Sequence, residues 1–390
     1  MKQDRLLKII AEDEIMNPEA PSIDILRPAT EHAPKHRPIP IPGTVARIDY
    51  RHLLAMTDDT GMLQHAKFSI PDRDHGYCID DNARALIVAC QAGRLGGGKE
   101  VERLVPIYLA FINHAFNTDN RRFRNFKSYD RRWLEDSGSE DSQGRALWGL
   151  GVASVMAPLS SQRVLAGRLF EDGLPAVDMF QAPRARAFAV LGINQYLQGH
   201  ERTRAMQARL ESLAGGLYDL FLCNSSDDWE WCEQYMTYDN AILPLALIQA
   251  GHRMRDAAMT KTGLRALNWL IERQITPAGH FSLIGNNGWM VRNGHRAVFD
   301  QQPLDAGALT LACAEAYHCT NEHRWLEHAR RGLGWFMGHN DLDQMLYDPE
   351  TGGCCDGLHS EGVNCNQGAE STLSWLLAWQ QMEMMGGGSQ

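Results

Sequence analysis

Paired carboxylates precede two apolar stretches of this chain and are the residues most capable of chemistry. Asp80-Asp81 and Glu140-Asp141 repeat the same arrangement about 60 residues apart. A carboxylic acid can protonate a leaving oxygen while a second carboxylate activates water, which is how glycosidic bonds are hydrolysed. One acid of each pair is also explained as a helix N-cap. The second acid of each pair is not, so the pattern favours acid–base chemistry.

The candidate catalytic residues are carboxylates that lie in these segments or in later segments of similar composition: Asp80, Asp81, Glu140, Glu233 and Glu370. We expect an acid from the 80–81 or 140–141 group to act with Glu230, Glu233 or Glu370. Packed helices lie about 8–10 Å apart, and inverting glycosidases separate their carboxyls by about 6.5–9.5 Å. An inverting outcome is therefore favoured over a retaining one. The residue types do not decide which member is the acid and which is the base.

Aromatic, amide, basic and further acidic residues accompany these carboxylates. Aromatic rings can cover the apolar faces of sugars, while charged and amide groups bind hydroxyls. The candidate substrate-binding residues are His75, Tyr77, Arg84, Arg145, Trp229, Glu230, Trp231, Tyr238, Asp239, Asp300, Gln301, Gln302, His359, Asn366 and Gln367. The aromatic segment 227–240 can alternatively be a hydrophobic plug. Glu370 falls one turn inside a helix, where an unpaired charge is costly, so we expect a partner such as Arg84 or Arg145.

The elements that must position these residues are helices. Six apolar segments rich in Ala and Leu begin near residues 80, 141, 183, 238, 304 and 368. More amphipathic segments with charged faces alternate with them, as surface helices do. Six such pairs can close into an (α/α)6 toroid, an all-α fold with apolar inner helices and amphipathic outer ones. Gly93, Gly199 and Gly251 occupy positions typical of helix C-terminal caps.

The connections between these helices alternate in length. Turns from inner to outer helices are short, whereas five outer-to-inner loops are long and therefore meet at one end of the ring. Loops of this length within a compact domain are usually functional. The glycine turns of the fifth loop also predict a small β-hairpin. The third repeat supplies Pro183, Arg184 and Arg186 in place of acids, and we expect it to form a low wall or contact surface.

Composition narrows the class of protein. The chain has 390 residues and a formal charge of −10, which argues against nucleic acid or a membrane as a partner. Residues 1–43 read as an N-terminal arm with a Pro-rich linker, and residues 44–385 as the toroid. The N-terminus lacks a secretory signal pattern, so we expect a cytoplasmic protein. Neither a cofactor motif nor a well-spaced metal-ligand set is present, and no cofactor or metal is expected.

Three segments carry a resemblance to a known family. DHGYCIDDNARA at 74–85, DQQP at 300–303 and NQGAEST at 366–372 resemble bacterial six-hairpin-glycosidase-like proteins, often described only as glycosyltransferase-associated. The resemblance covers roughly residues 44–383. It implies a toroid active in carbohydrate metabolism and a possible glycosyltransferase partner, but it supplies no catalytic pair.

The favoured hypothesis is a glycoside hydrolase that acts on an oligosaccharide or small sugar. A sugar epimerase or isomerase is the first alternative, with His75 and His359 as acid and base, because histidine titrates near neutral pH. The second is a non-catalytic glycan-binding module that works with a glycosyltransferase.

Overall fold

The computed structural model describes residues 48–386 and the backbone of residues 26–28. The remainder of the predicted arm lies outside the described residues. Six inner helices occupy Ile79–Arg94, Glu140–Met156, Pro183–Tyr196, Ile242–Met254, Pro303–Thr320 and Ala369–Gly386, numbered 1 to 6 in that order. The outer helices occupy Arg51–Ala55, Gly98–Glu102 with Val105–Ala115, Ser160–Gly173, Arg204–Asn224, Ala257–Gln274 and His323–Phe336.

The inner helices form a closed ring. Each packs against the next in sequence, and inner helix 6 returns to pack against inner helix 1. The outer helices pack around them, each against an inner helix beside it. The predicted all-α (α/α)6 toroid is confirmed, and within the described residues no helix is long and apolar enough to cross a membrane.

The two sets of helices differ in sequence because they differ in surroundings. Inner helix 5 is enclosed on nearly all sides, and its buried residues include Ala306 and Cys313. The outer helix Ala257–Gln274 instead buries one stripe that includes Leu267 and Leu270. Its N-cap, Asp256, accepts hydrogen bonds from two backbone N–H groups of the first turn, which are otherwise unsatisfied.

Of the three glycines predicted as C-caps, Gly199 follows its helix and donates its N–H to the Tyr196 carbonyl of the last turn, whereas the other two do not act as caps. Gly93 and Gly251 lie inside their helices, and it is Arg255 that adopts the left-handed conformation after inner helix 4, with φ 59°. Gly251 faces Thr260 of the following outer helix, whose backbone nitrogen would lie 2.6 Å from an added Cβ. Close packing between helices, rather than capping, therefore requires this glycine.

The long connections gather at the N-terminal ends of the inner helices. Small hairpins stiffen three of them: Ala66–Lys67 with Ile70–Pro71, Phe116–Asn117 with Arg122–Phe123, and Gly357–His359 with Gly362–Asn364. In the fifth loop Met290–Val291 pairs with Tyr235–Met236 of the fourth loop, so adjacent loops are tied together. Tyr77–Cys78 likewise pairs with Phe126–Lys127, and Leu26–Pro28 adds a strand beside Gly362–Asn364. The third connection is a short 3₁₀ helix, Leu174–Met179.

Inner helices 2 and 3 approach each other most closely at glycines. A Cβ on Gly192 would lie 2.7 Å from the Leu147 carbonyl oxygen, and one on Gly151 would collide with the carbonyl of Gly192. Because backbone atoms stand in the way, no side-chain movement can make room.

We expect Gly192→Ala to lower the free energy of unfolding by about 1–3 kcal/mol, the usual cost of overpacking. Gly215→Ala is the matched control, since Gly215 is also helical but has no atom within 4 Å of an added Cβ. That control should be neutral or stabilising by up to about 1 kcal/mol. Denaturant unfolding of both variants provides the measurement, and equal effects would contradict close packing at Gly192.

Candidate active site

The starts of five inner helices bring carboxylates to one end of the ring, which we call the mouth. Its acids are Asp80 and Asp81, Asp141, Asp239, Asp305 and Glu370. Acids are favourable in the first helical turn because they complement the helix dipole. Helix geometry then directs them toward a shared space. This convergence follows from the six-fold repetition of the sequence.

Arg84 connects the first and the last inner helix of the ring. Its Nη1 donates to Asp81 Oδ1 at 3.0 Å within inner helix 1, and its Nη2 donates to Glu370 Oε2 at 2.7 Å on inner helix 6. The Arg84 and Asp81 side chains are 3% and 4% exposed, whereas that of Glu370 is 43% exposed. Glu370 is therefore an accessible carboxylate with one oxygen held by a buried cation, and the predicted pairing with Arg84 is observed.

Arg145 and Asp239 form a second buried ion pair. Arg145 Nη2 donates to Asp239 Oδ2 at 3.0 Å, and both side chains are at most 5% exposed. The Arg145 guanidinium also lies 4.0 Å from the centre of the Phe188 ring, a favourable cation–π contact. Asp239 adopts a left-handed φ of 50°, so this pair depends on an unusual backbone conformation.

The third repeat, predicted to form a low wall or contact surface, also contributes a buried cation, Arg184. Arg184 is buried and donates to Glu233 Oε2 at 2.9 Å, to the Tyr238 carbonyl at 2.6 Å and to Asn240 Oδ1 at 3.1 Å. It thereby anchors the fourth loop. Tyr238 in turn donates its hydroxyl to Asp141 Oδ2 at 2.7 Å.

Burial keeps several mouth carboxyls close to their protonated form. It raises the pKa of Asp81 to about 7 and that of Asp80 above the usual value, although Arg84 opposes both shifts. Burial likewise raises the pKa of Asp239, and it raises that of Asp305 well above the ordinary range. The mouth therefore holds proton donors as well as carboxylates near neutral pH.

Asp80 differs from Asp81 in its freedom. Asp81 is committed to Arg84 and accepts a hydrogen bond from the Cys78 thiol at 3.0 Å. Asp80 is half-buried, receives only a long 3.4 Å contact from Asn125 Nδ2, and leaves Oδ1 without a hydrogen-bond partner. Of the two adjacent acids, Asp80 is thus the one whose carboxyl group is not committed to an ion pair within its helix.

The sequence did not single out two acids of the mouth, Asp356 and Asp305. Asp356 accepts hydrogen bonds from the Gly368 N–H at 2.7 Å and from the Ser371 hydroxyl at 2.8 Å, at the start of inner helix 6. Asp305, noted only as part of a helix opening, accepts a long 3.4 Å bond from the Asn240 N–H, and its Oδ2 has no partner. The acidic stretch around Asp356 carried no repeat signal that singled it out.

Several candidate residues have structural roles instead. Glu140 accepts hydrogen bonds from the backbone of Gln181 and Ala182 at 2.7 Å, and it thereby fixes the third connection. Glu233 is held by Arg184, and Glu230 lies near Arg265 of an outer helix. Each of these three carboxylates is thus engaged by another segment of the protein.

The buried aromatic and amide candidates also belong to the scaffold. Trp229 and Trp231 are 3% and 0% exposed and pack against Trp269, which favours the hydrophobic-plug interpretation of the fourth loop. Four others use their side chains to tie loops together: Tyr77 to Asp58, Gln301 to Leu283, Trp335 and Asp341, Asn366 to Phe68, and Gln367 to Thr351 and Asp348. Gln302 precedes inner helix 5 as its N-cap residue.

Two close contacts in the mouth loops involve histidines, one with another histidine and one with an aspartate. His65 and His75 form an edge-to-face contact with ring centres 4.5 Å apart. Burial, with His75 beside it, lowers the pKa of His65 to about 4, while Asp72 and Glu370 oppose the shift. His359 Nδ1 lies 2.8 Å from Asp300 Oδ1. His65 was missed because nothing in its local sequence indicates that it folds back toward Glu370.

A recess continues from the mouth into the ring. It is narrow, with a cavity volume of about 20 Å³. Arg84, Arg145 and Asp239 form its charged part, and Trp148 and Leu311 belong to its apolar lining. A cavity of this size has room for about one water molecule and not for a sugar ring, so a sugar would bind above it, at the mouth.

Metal chemistry has no support from side-chain placement in residues 48–386. That part of the chain contains no group of three or more His, Cys, Asp or Glu residues arranged to hold an ion. Cys354 and Cys355, from the cysteine-rich sixth loop, are buried in the core.

The raised pKa of Asp356 predicts a pH-dependent stability. Burial raises this pKa to about 7, against about 3.9 for an unfolded aspartate. The folded state therefore holds the proton more tightly than the unfolded state. The resulting stabilisation is fully present below about pH 4 and is lost as pH rises through 7.

We expect Asp356→Asn to remove this pH-dependent contribution to the free energy of unfolding. The unfolding free energy of the wild type minus that of the variant should fall between pH 5 and pH 8, by at most about 1.4 kcal/mol per pH unit. Denaturant unfolding at several pH values measures it. Parallel pH profiles for the two proteins would contradict the assignment.

Solved structures with this fold include enzymes named for their action on sugars. A sugar epimerase from a ruminal bacterium is 12% identical, with a TM-score of 0.68 over 87% of this chain and 96% of its own. A cellobiose 2-epimerase from Bacillus thermoamylovorans is 11% identical, with a TM-score of 0.67 over 85% of this chain and 94% of its own. An α-mannanase from Bacteroides thetaiotaomicron is 11% identical, with a TM-score of 0.58 over 86% of this chain and 94% of its own.

No protein-family model and no curated protein matches the chain. At these identities the likeness concerns architecture alone. The chain has the (α/α)6 toroid fold of the six-hairpin glycosidase-like proteins.

Proposed function

We propose that this protein is a carbohydrate-active enzyme that hydrolyses a glycosidic bond at the mouth of the ring. One observation carries the proposal. Asp80 on inner helix 1 and Glu370 on inner helix 6 are both partly exposed and lie within electrostatic range of each other and of Arg84. They differ in environment, because burial favours the protonated form of Asp80 while Arg84 pairs with the Glu370 carboxylate.

This difference assigns the roles. Asp80, with a raised pKa and one oxygen without a hydrogen-bond partner, donates a proton to the leaving glycosidic oxygen. Glu370, one of whose oxygens is bound by Arg84, removes a proton from the attacking water. Asp81 positions Arg84, and Tyr238 positions Asp141 beside the pair. Glycoside hydrolysis requires one carboxylic acid and one carboxylate.

The charge balance of the mouth indicates the class of sugar. Seven acids, namely Asp80, Asp81, Asp141, Asp239, Asp305, Asp356 and Glu370, lie at the mouth together with the arginines Arg84, Arg145 and Arg184. All three arginines are already paired with carboxylates. An anionic sugar would meet no free cation among them, so the site suits a neutral or amino sugar better than a uronic acid or a sugar phosphate.

The test is hydrolysis of a panel of gluco- and manno-oligosaccharides, a choice guided by the cellobiose epimerase and α-mannanase that share the fold. Asp80→Asn and Glu370→Gln should each lower kcat by about 10²-fold or more, since positioned acids and bases typically contribute 10²–10⁴-fold. Glu361→Gln is the matched control, because Glu361 is an exposed acid of the sixth loop. Release of reducing ends measures the rate.

Binding without turnover, unaffected by the two substitutions, would instead favour a non-catalytic glycan-binding module. Turnover that survives both substitutions would contradict the proposed pair.

A sugar epimerase or isomerase is the second candidate, and His65 is the observation that favours it. With a pKa of about 4, this histidine is unprotonated at neutral pH and can accept a proton. It lies within electrostatic range of Glu370 and beside His75. Proton abstraction next to a carbonyl would use such a base.

Deuterium exchange separates this chemistry from hydrolysis. An epimerase incubated with free aldoses or reducing disaccharides in D2O should incorporate deuterium at C2, and His65→Asn should abolish the incorporation. Absence of exchange with every sugar in the panel would exclude this candidate for those sugars.

A further inference from the structure

The hairpin in the first loop has an aromatic residue where glycine is preferred. Ala66–Lys67 and Ile70–Pro71 are joined by the two residues Phe68 and Ser69. Phe68 has a φ of 51°, and Ser69 is not among the residues with positive φ. A two-residue hairpin loop with positive φ only at its first position is the turn in which glycine normally takes that place. A bulky side chain there strains the backbone.

This strained turn is clamped on both sides. The Phe68 N–H donates to Asn366 Oδ1 at 3.0 Å, and the Phe68 carbonyl accepts from the Gln367 N–H at 2.9 Å. Despite these two bonds the Phe68 side chain remains 51% exposed. The backbone is therefore fixed while the ring is left open to solvent.

The clamp also fixes the hairpin relative to the proposed catalytic base. The Ala369 N–H, one residue before Glu370, donates to the Gln64 carbonyl at 3.0 Å. At the base of the same hairpin, His65 lies within electrostatic range of Glu370. Phe68 is thus held by segments that directly precede Glu370, whereas the tryptophans of the fourth loop are buried.

We propose that Phe68 is an aromatic platform that stacks against a sugar unit next to the one processed at the mouth. The proposal rests on the proposed function and deepens it, because it makes the substrate a saccharide of at least two units. A local conformation that opposes the intrinsic preference of the residue is expected where function requires the side chain. An exposed ring on a backbone that is held in place can cover the C–H face of a pyranose.

Phe68→Gly is the informative variant because function and stability should respond in opposite directions. Glycine relieves the strain at φ 51°, so the melting temperature should be unchanged or higher. Loss of the ring should raise the Kd for saccharides of two to five units about tenfold, equivalent to about 1.4 kcal/mol. The Kd for the corresponding monosaccharide should not change.

Binding is measured by isothermal titration calorimetry with the gluco- and manno-oligosaccharide panel, so the result does not depend on turnover. Phe68→Trp should retain the affinity for longer saccharides. Ile70→Ala is the matched control, since Ile70 lies on the same hairpin and is 68% exposed. It should change neither the affinity nor the length dependence.

The outcomes separate the two proposals. Oligosaccharide binding that is equal in the wild type and Phe68→Gly overturns the platform and leaves the proposed function standing. A lower melting temperature with equal affinity shows a purely structural role for Phe68. If the wild type binds no carbohydrate in the panel, both proposals fail for these sugars.

Discussion

Closure of the ring depends on contacts between two segments that are far apart in sequence. Arg84 on inner helix 1 and Glu370 on inner helix 6 meet across 286 residues. The same seam is held by Gln380 Nε2, which donates to the Val88 carbonyl at 2.9 Å, and by His52 Nε2, which lies 2.8 Å from the Gln367 carbonyl. Asp81, on the same helix as Arg84, holds this arginine in place at the seam, and breaking such a buried ion pair typically costs about 3–5 kcal/mol. The same arginine orders the proposed base, so closure of the fold and assembly of the site are one event.

The chemistry of the mouth follows from an imbalance of charge. Packing six helix starts together buries more acids than the nearby arginines can neutralise. Since an isolated buried carboxylate is unfavourable, some of these groups retain protons up to higher pH. The folded ring therefore produces proton donors from ordinary aspartates. Their proton affinity arises from burial by the scaffold and not from any special local motif.

Much of this architecture could be predicted from the sequence, whereas many individual roles could not. Six repeated helix openings and the alternation of short and long connections were sufficient for the toroid, and Glu370 was correctly expected to need a cation. Trp231, Gln301 and Gln367 resembled ligand-binding residues in type, yet tertiary partners turn them into scaffold. Arg184 anchors the fourth loop through partners about 50 residues away, and the sequence around it did not indicate this role.

The errors share a physical cause. Whether a polar residue faces a ligand or bonds to the protein is decided by neighbours that are distant in sequence. Periodicity reports only the face of a helix, and it contains no information about loops that fold back, such as the hairpin that carries His65 and Phe68. A glycine gave a similar error. Gly251 is required by a close contact between helices, and the local sequence pattern does not distinguish this role from that of a C-terminal cap.

The seam between the first and last inner helices also has a consequence for biosynthesis. A nascent chain gains successive hairpins in order, but Arg84 has no Glu370 to meet until the final helix has emerged. Closing so long a loop carries an entropic cost that earlier hairpins cannot repay, and contacts so distant in sequence slow folding. Before that moment the chain exposes an open arc with unpaired edges at both ends, and the two carboxyls of the proposed pair have not met. The proposed pair therefore forms only once inner helix 6, which begins at Ala369, packs against inner helix 1.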